Sequence, residues 1–390
     1  MRIFSIRRCA AMGAGAVLLV ASVAAIGQKK GKDYDRTAIA TVLHDANVYV
    51  ASDADAQKIS LVTPGHEVQI VERSGAWVKV FANTDINDDA NEDDRNKPEF
   101  GEDANVTPAS GWIRDKGILG PGTAGGDVIL FGSAANFEDE AERPHAPKGA
   151  AGAAHLLYKR VAEYFPDSPL AAEAAWRAAD IRWQLDKVDI STLPSAKEQE
   201  AYLRPQIYEG ELKKVMKTYP GSEFAARAAF DLLDNKLCGD WQGLPKCPEM
   251  ETGLYVKYAQ QYADGPKAAE ALYNAVYRQG VVVTMYQVQE DKKRSEEAAK
   301  RTQALAMDLK ARYPKSEFAA RGLVLRFEFR RGSRSMGVIG IRSYVLPEGP
   351  TARGLVRQDI ACLPFTHADA LGWMHVDSSC HPPCHCAGSC

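Results

Sequence analysis

One phrase is written four times in this chain of 390 residues. It reads Phe165-Pro166-Asp167-Ser168-Pro169-Leu170-Ala171-Ala172, then Tyr219-Pro220-Gly221-Ser222-Glu223-Phe224-Ala225-Ala226. It returns loosely as Tyr262-Ala263-Asp264-Gly265-Pro266-Lys267-Ala268-Ala269, and closely as Tyr313-Pro314-Lys315-Ser316-Glu317-Phe318-Ala319-Ala320. A phrase that recurs marks a repeated supersecondary unit, and stacked units of this kind hold partners more often than they turn over substrates.

Each copy spells a turn between two helices. The aromatic residue before Pro is pushed out of the α region, which ends a helix. Asp167, Gly221 or Lys315 fills the turn, and Ser168, Ser222 and Ser316 are expected at the N-cap of the next helix, where a hydroxyl satisfies an orphan N–H. The third copy has Gly265 at that place, followed by Pro266 at a first helical position. Two small alanines then let helices approach closely. Upstream, Leu157, Val161 and Tyr164, then Leu212, Val215 and Tyr219, then Tyr255, Tyr258 and Tyr262, fall near helical spacing. In the fourth unit Ala298, Leu305 and Leu309 do the same, and Ala175, Trp176, Ala179 and Trp183 make an apolar stripe after the first turn. Core packing between helices accounts for these stripes.

These residues resemble tetratricopeptide-repeat proteins of the bacterial envelope, whose helical hairpins carry an aromatic-Pro-x-Ser-x-x-Ala-x-x-Ala phrase at the turn. The resemblance covers roughly 151–330 and implies an all-α hairpin array. The copies begin 54, 43 and 51 residues apart (165, 219, 262, 313), against a family period of about 34. Longer helices or inserted loops are therefore expected.

The N-terminus has the layout of a secretory signal peptide, assigned to 1–27. Arg2, Arg7 and Arg8 precede an uncharged, mostly apolar run from Cys9 to Ile26. Ser22-Val23-Ala24 or Ala25-Ile26-Gly27 offers a cleavage site. The competing reading is an uncleaved anchor, for which the run is short and rich in Ala and Gly. No later segment reads as a transmembrane span, so a periplasmic or secreted location in the cell envelope is expected. The formal net charge of −3, with 25% charged residues, lacks the basic excess that a nucleic-acid partner requires.

Between Ala38 and Leu119 the apolar period changes from helical to alternating. Val42, Val48 and Val50, then Val68, Ile70 and Val71, then Trp77, Val78, Val80 and Phe81, read as strands separated by turns at Pro64-Gly65 and Ser74-Gly75. Short strands with Gly turns point to a small barrel. The order of Asn47-Val48, Pro64-Gly65-His66-Glu67-Val68, Gly75-Ala76-Trp77-Val78-Lys79-Val80 and Gly111-Trp112-Ile113 resembles a bacterial SH3 domain. That resemblance implies recognition of cell-wall peptides or protein ligands, with Trp77 and Trp112 lining the groove. The competing reading places both tryptophans in the barrel core.

An acidic insertion, 84–105, departs from that pattern. Asp85, Asn87 and Asp89 alternate as in a calcium loop, but Ala90 and Asn96 stand where an EF-hand needs Gly and Glu. A weak calcium site at Asp85, Asn87 and Asp89 stays as one reading, and a solvated hairpin loop as the other. Residues 120–150 read as a linker. Gly120-Pro121-Gly122-Thr123-Ala124-Gly125 matches a dinucleotide-binding glycine pattern literally, but such a site needs a helix starting there inside a βαβ unit, and Asp127–Phe131 reads as strand or linker.

Cys238 and Cys247 flank a short loop, and an oxidising compartment favours a disulfide between them. It would staple the connection between the second and third hairpins. Residues 331–390 form an atypical tail: after Lys315 the chain has eight arginines and no lysine, and five of its eight cysteines follow Ala361. Disorder or disulfide scrambling, metal binding through Cys380–Cys390 and an out-of-frame origin are the open readings of that tail. No Gly-x-Ser-x-Gly elbow, His-Glu-x-x-His or P-loop occurs, and His44, His66, His145 and His155 show no ligand spacing.

The chain thus reads as an α+β multidomain protein. A small SH3-like β-barrel (38–119) precedes an all-α, tetratricopeptide-like hairpin array (151–330). The expected function is that of an exported non-catalytic adaptor, without cofactor. Its partners are an envelope protein and peptidoglycan. A structural component of an envelope assembly and a regulatory subunit of a cell-wall hydrolase are the alternatives.

Overall fold

The computed structural model describes residues 38–86 and 105–331. The signal segment, most of the acidic insertion and the tail at 332–390 lie outside them. The architecture is α+β in two parts: an antiparallel half-barrel at 39–119 followed by an all-helical region with nine α-helices among the described residues.

The half-barrel has seven strands: β1 Ile39–Val42, β2 Ala46–Tyr49, β3 Lys58–Val62, β4 Glu67–Ser74, β5 Trp77–Ala82, β6 Ala109–Arg114 and β7 Ile118–Leu119. They form one sheet in the order β3-β2-β6-β5-β4-β1-β7, every pairing antiparallel. Alternation sends Val48, Val62, Val68, Val78, Val80 and Ile113 inward, all 0% exposed. Short β-branched side chains suit so small an interior, because they fill it without forcing rotamers. Val50 lies beyond the end of β2 and is exposed.

The helices are α1 Gly126–Ala141, α2 Ala150–Tyr164, α3 Ala171–Ser191, α4 Gly210–Thr218, α5 Glu223–Asp231, α6 Lys246–Gln261, α7 Ala268–Val288, α8 Lys292–Arg312 and α9 Glu317–Arg331. The four copies of the phrase are the turns α2–α3, α4–α5, α6–α7 and α8–α9. Phe165, Tyr219, Tyr262 and Tyr313 end their helices in nearly the same backbone conformation, φ between −118° and −128° and ψ between 51° and 59°. In each turn the carbonyl of the aromatic residue accepts from the N–H three residues on, at 2.9–3.2 Å. The third copy keeps this geometry although its sequence has drifted.

The uneven spacing has visible causes. Between α3 and α4 the chain makes two 3-10 turns, Pro194–Lys197 and Ala201–Leu203. Between the third and fourth turns, α7 and α8 run to 21 residues each. The capping expectation needs correcting. Ser222 is a true N-cap, its Oγ accepting from Ala225 N–H at 3.1 Å, and Ser316 directly precedes α9 with Oγ accepting from Phe318 N–H. Ser168 is three residues short of α3, because Pro169 and Leu170 extend the turn. Its Oγ accepts from Leu170 N–H within that turn at 3.2 Å and donates to Asp127 at the start of α1, 2.6 Å away. Pro266 likewise precedes the start of α7 at Ala268.

The linker expected over 120–150 is replaced by α1. Four consecutive apolar residues, Val128 to Phe131, look like a strand. The burial has a helical period instead: Leu130 and Ala134, one turn apart, are fully buried, while Val128 and Ile129 are exposed. Gly125, at φ +65°, starts the helix, and at Gly126 a Cβ would lie 2.6 Å from the Phe165 ring. Leu119 of β7 and Leu130 of α1 join Leu157, Tyr158 and Val161 of α2 in one apolar cluster, so the half-barrel and the first helices share a core.

Candidate functional site

The outward side of the half-barrel carries the two tryptophans named above. Strand alternation puts Trp77, Lys79 and Phe81 of β5 on the face opposite the valine core. The β5–β6 register sets Trp77 beside Arg114 and Lys79 beside Trp112, and the β2–β6 register sets Tyr49 beside Trp112. Tyr49 meets Trp77 edge-on, with ring centroids 5.4 Å apart. The Arg114 guanidinium lies 3.9 Å above the Trp77 ring, and the Lys79 ammonium lies 5.9 Å from the Trp112 ring. Trp77 is therefore covered, at 8% exposure, although it sits on the outer face; Trp112 is half-buried. Phe81 and Val71 extend the strip, each 48% exposed. Tyr49, Lys79 and Arg114 were not singled out from sequence, although the alternation Trp77-x-Lys79-x-Phe81 carries part of that signal. The place of Tyr49 and Arg114 depends on strand registers.

The Pro64-Gly65 turn of the domain is occupied. Gly65, in the Pro64-Gly65 turn, has φ +91°, and a Cβ there would overlap Leu156 Cβ on α2. Arg160 of α2, 3% exposed, donates from Nε to the Gly65 carbonyl at 3.0 Å, from Nη2 to Asp85 Oδ2 at 2.5 Å and from Nη1 to Glu163 at 2.7 Å. Asp85 Oδ1 also accepts from the Glu67 backbone N–H at 3.1 Å and pairs with His66 Nδ1 at 3.2 Å. Burial alone would raise the Asp85 pKa, but the His66 hydrogen bond and the Arg160 charge outweigh it and hold the carboxyl below its ordinary value. Glu67 moves the other way, raised by burial against its bond from Thr84.

Asp85, one of the three calcium candidates, thus has both oxygens engaged at this junction. Asn87 and Asp89 lie outside the described residues. Arg160 escaped the sequence reading because its main partners lie 75 and 95 residues away in the chain.

In the helical region Cys238 and Cys247 form a disulfide, with Cα atoms 6.1 Å apart. It closes the loop that leads from α5 into α6. Beside it, Glu251 of α6 is 1% exposed and accepts from Cys238 N–H at 3.0 Å, Trp241 Nε1–H at 3.1 Å and Arg278 Nε–H at 2.6 Å. A cavity of about 400 Å³ opens along the disulfide, with Tyr202 and Met250 in its wall. A second polar cluster joins α2, α3 and α4. His155 Nδ1 hydrogen-bonds the Ala178 carbonyl, Arg182 donates to Glu211 at 3.2 Å, and the Arg182 guanidinium lies 4.1 Å over the Tyr208 ring. Burial lowers the His155 pKa and keeps the ring neutral. Burial likewise raises Asp186, one turn from Arg182, to about 6.

None of these clusters assembles a nucleophile with a base. The glycine pattern at 120–125 does lead into a helix, but β7 is antiparallel and α1 runs on into α2, so no βαβ unit surrounds it. Among the described residues no group of three or more His, Cys, Asp or Glu is arranged to hold a metal, and no helix is long and apolar enough to cross a membrane.

No family model matches the chain, and no curated protein matches it. Among solved structures it is similar to a chain described as "DHF58 filament", with 19% identity across 53% of this chain and 91% of that one and a TM-score of 0.18. That likeness carries no argument about fold or function.

Proposed function

We propose that the protein is an exported, non-catalytic adaptor of the cell envelope. Its half-barrel acts as an SH3-like domain that takes a cell-wall or protein ligand on the face of Trp112. Its helices act as a tetratricopeptide-like array that holds a protein partner. The single observation that carries this reading is the asymmetry of the half-barrel. The Pro64-Gly65 end is docked on α2 through Arg160, while the aromatic strip of Tyr49, Trp112 and Phe81 faces away from the valine core, with Phe81 open to solvent. An aromatic platform left outside the core is the surface on which interfaces concentrate their binding energy.

The test is co-sedimentation of the mature protein with purified cell-wall sacculi. Trp112→Ala should abolish binding and leave the melting temperature within a few degrees of wild type. Trp77→Ala is the poorer probe, because removing so buried a ring destabilises the domain by about 3–5 kcal/mol. Binding that persists in a folded Trp112→Ala variant sinks the reading. It would favour a structural component of an envelope assembly, in which the half-barrel serves mainly to pack on the helices. The shared apolar cluster around Leu119 and Leu157 supports that second reading.

A further inference from the structure

The disulfide at the entry to α6 has two unlike ends. Cys247, in the first turn of α6, is 2% exposed, and its Sγ lies 4.0 Å from the Gln199 carbonyl oxygen. Cys238, on the loop, is half-buried. Both line the open cavity of about 400 Å³, beside the exposed side chains of Tyr202 and Met250. A reagent entering the cavity therefore has Cys238 as the reachable sulfur. The loop does not depend on the bridge for its place. Cys238 N–H and Trp241 Nε1–H both donate to the buried Glu251 carboxylate, whose charge Arg278 matches. Gly239 N–H donates to the Glu198 carbonyl at 3.0 Å, Asp240 N–H to the Lys197 carbonyl at 3.2 Å, and Arg204 to the Leu237 carbonyl at 2.6 Å. A bridge between residues nine positions apart also removes less chain entropy than one closing a long loop.

We propose that Cys238–Cys247 is a thiol–disulfide exchange site, entered at Cys238 by the thiolate of a reducing partner, and not a fixed staple. The bridge itself selects the partner's chemistry, because a thiolate is the nucleophile that opens a disulfide. In the first step the thiolate bonds to Cys238 Sγ, the bond to Cys247 breaks, and Cys247 leaves with the electron pair. The first turn of a helix stabilises a thiolate, which makes Cys247 the better leaving group. Cys247 then takes a proton from water, and its S–H has the Gln199 carbonyl as acceptor. In the second step a second thiolate of the partner attacks the partner's own sulfur in the mixed disulfide and expels Cys238, which is protonated in turn. Two electrons and two protons thus pass from two thiols to the cysteine pair, and the thiols become a disulfide. The Glu251–Arg278 anchor keeps the loop in place throughout. This site belongs to the helical region and is independent of what the half-barrel binds.

The experiment exposes the oxidised full chain, without denaturant, to reduced glutathione or to a thioredoxin whose resolving cysteine is replaced by serine. The reaction is quenched with acid, free thiols are alkylated, and tryptic peptides are weighed. Trypsin cuts after Lys236 and Lys246, so Cys238 and Cys247 fall on separate peptides, and the five tail cysteines fall together on another. The mixed disulfide should sit on Cys238 in about tenfold or greater excess over Cys247, with Cys247 alkylated. The fully reduced chain should keep the helical circular-dichroism signal of the oxidised one. Faster reaction with the thioredoxin variant at equal concentration supports the site and identifies a protein thiol as its partner; faster reaction with glutathione supports the site and identifies a small thiol. An adduct that forms only in denaturant, that is shared equally between the two cysteines, or that prefers Cys247 overturns the proposal. So does loss of the helical signal on reduction, which would make the bridge a structural staple.

Discussion

Gly65 meets two constraints at one position. Its φ of +91° is strained for any residue with a Cβ, and the space a Cβ needs is filled by Leu156. Gly65→Ala should therefore lower stability by about 2 kcal/mol or more. Arg160→Met should lower it by about 3–5 kcal/mol, because it leaves Asp85 buried without its cation. Denaturant melts check both; an unchanged midpoint for either variant would mean that the turn is not seated on α2 as described. The residues that make this junction were only half visible in sequence. The glycine was readable as a turn residue. Nothing local announces that a helix 95 residues downstream presses against it, or that Arg160 donates to its carbonyl.

At the scale of elements, the turns at 165, 219 and 313 were the most legible part of the chain, because an aromatic-Pro ending and a Ser-led restart act through local sterics and caps. Where the reading slipped, a neighbour overrode the local signal. Ser168 stands one turn ahead of α3, accepting from Leu170 N–H and donating to Asp127 of α1, and the apolar run at 128–131 is helical because α2 offers a surface for Leu130 and Ala134. Ser222→Ala removes an observed cap and should cost about 1 kcal/mol. Thermal or chemical melts test this; a loss near zero would show that the cap is dispensable within the packed α4–α5 turn.

At the scale of the whole molecule, two buried carboxyls pull stability in opposite directions with pH. Asp85 has a lowered folded pKa, so its contribution is present above the ordinary carboxylate value of about 4 and is lost as pH falls through the lower folded value. Asp186 is raised to about 6, so its contribution is present below about 4 and is lost as pH rises through about 6. Asp186→Asn should remove a fall in stability between about pH 4 and pH 6 worth on the order of 1–3 kcal/mol. A pH series of melts that runs parallel for wild type and variant would contradict this. The two-part architecture was legible because the apolar period switches from alternating to helical. The outer-face site was legible only as two tryptophans. That one is covered by Arg114 and the other lies beneath Lys79 depends on strand registers that no local pattern specifies.

The central claim is that ligand meets the outer face of the half-barrel and leaves the docked end and the helices to other work. Amide hydrogen exchange, measured with and without soluble cell-wall fragments, tests it most directly. Slowed exchange confined to the amides of β2, β5 and β6, with Gly65, His66 and the helices unchanged, is the predicted result. Slowing that falls in α2–α9, or no slowing anywhere at saturating fragment, would contradict it.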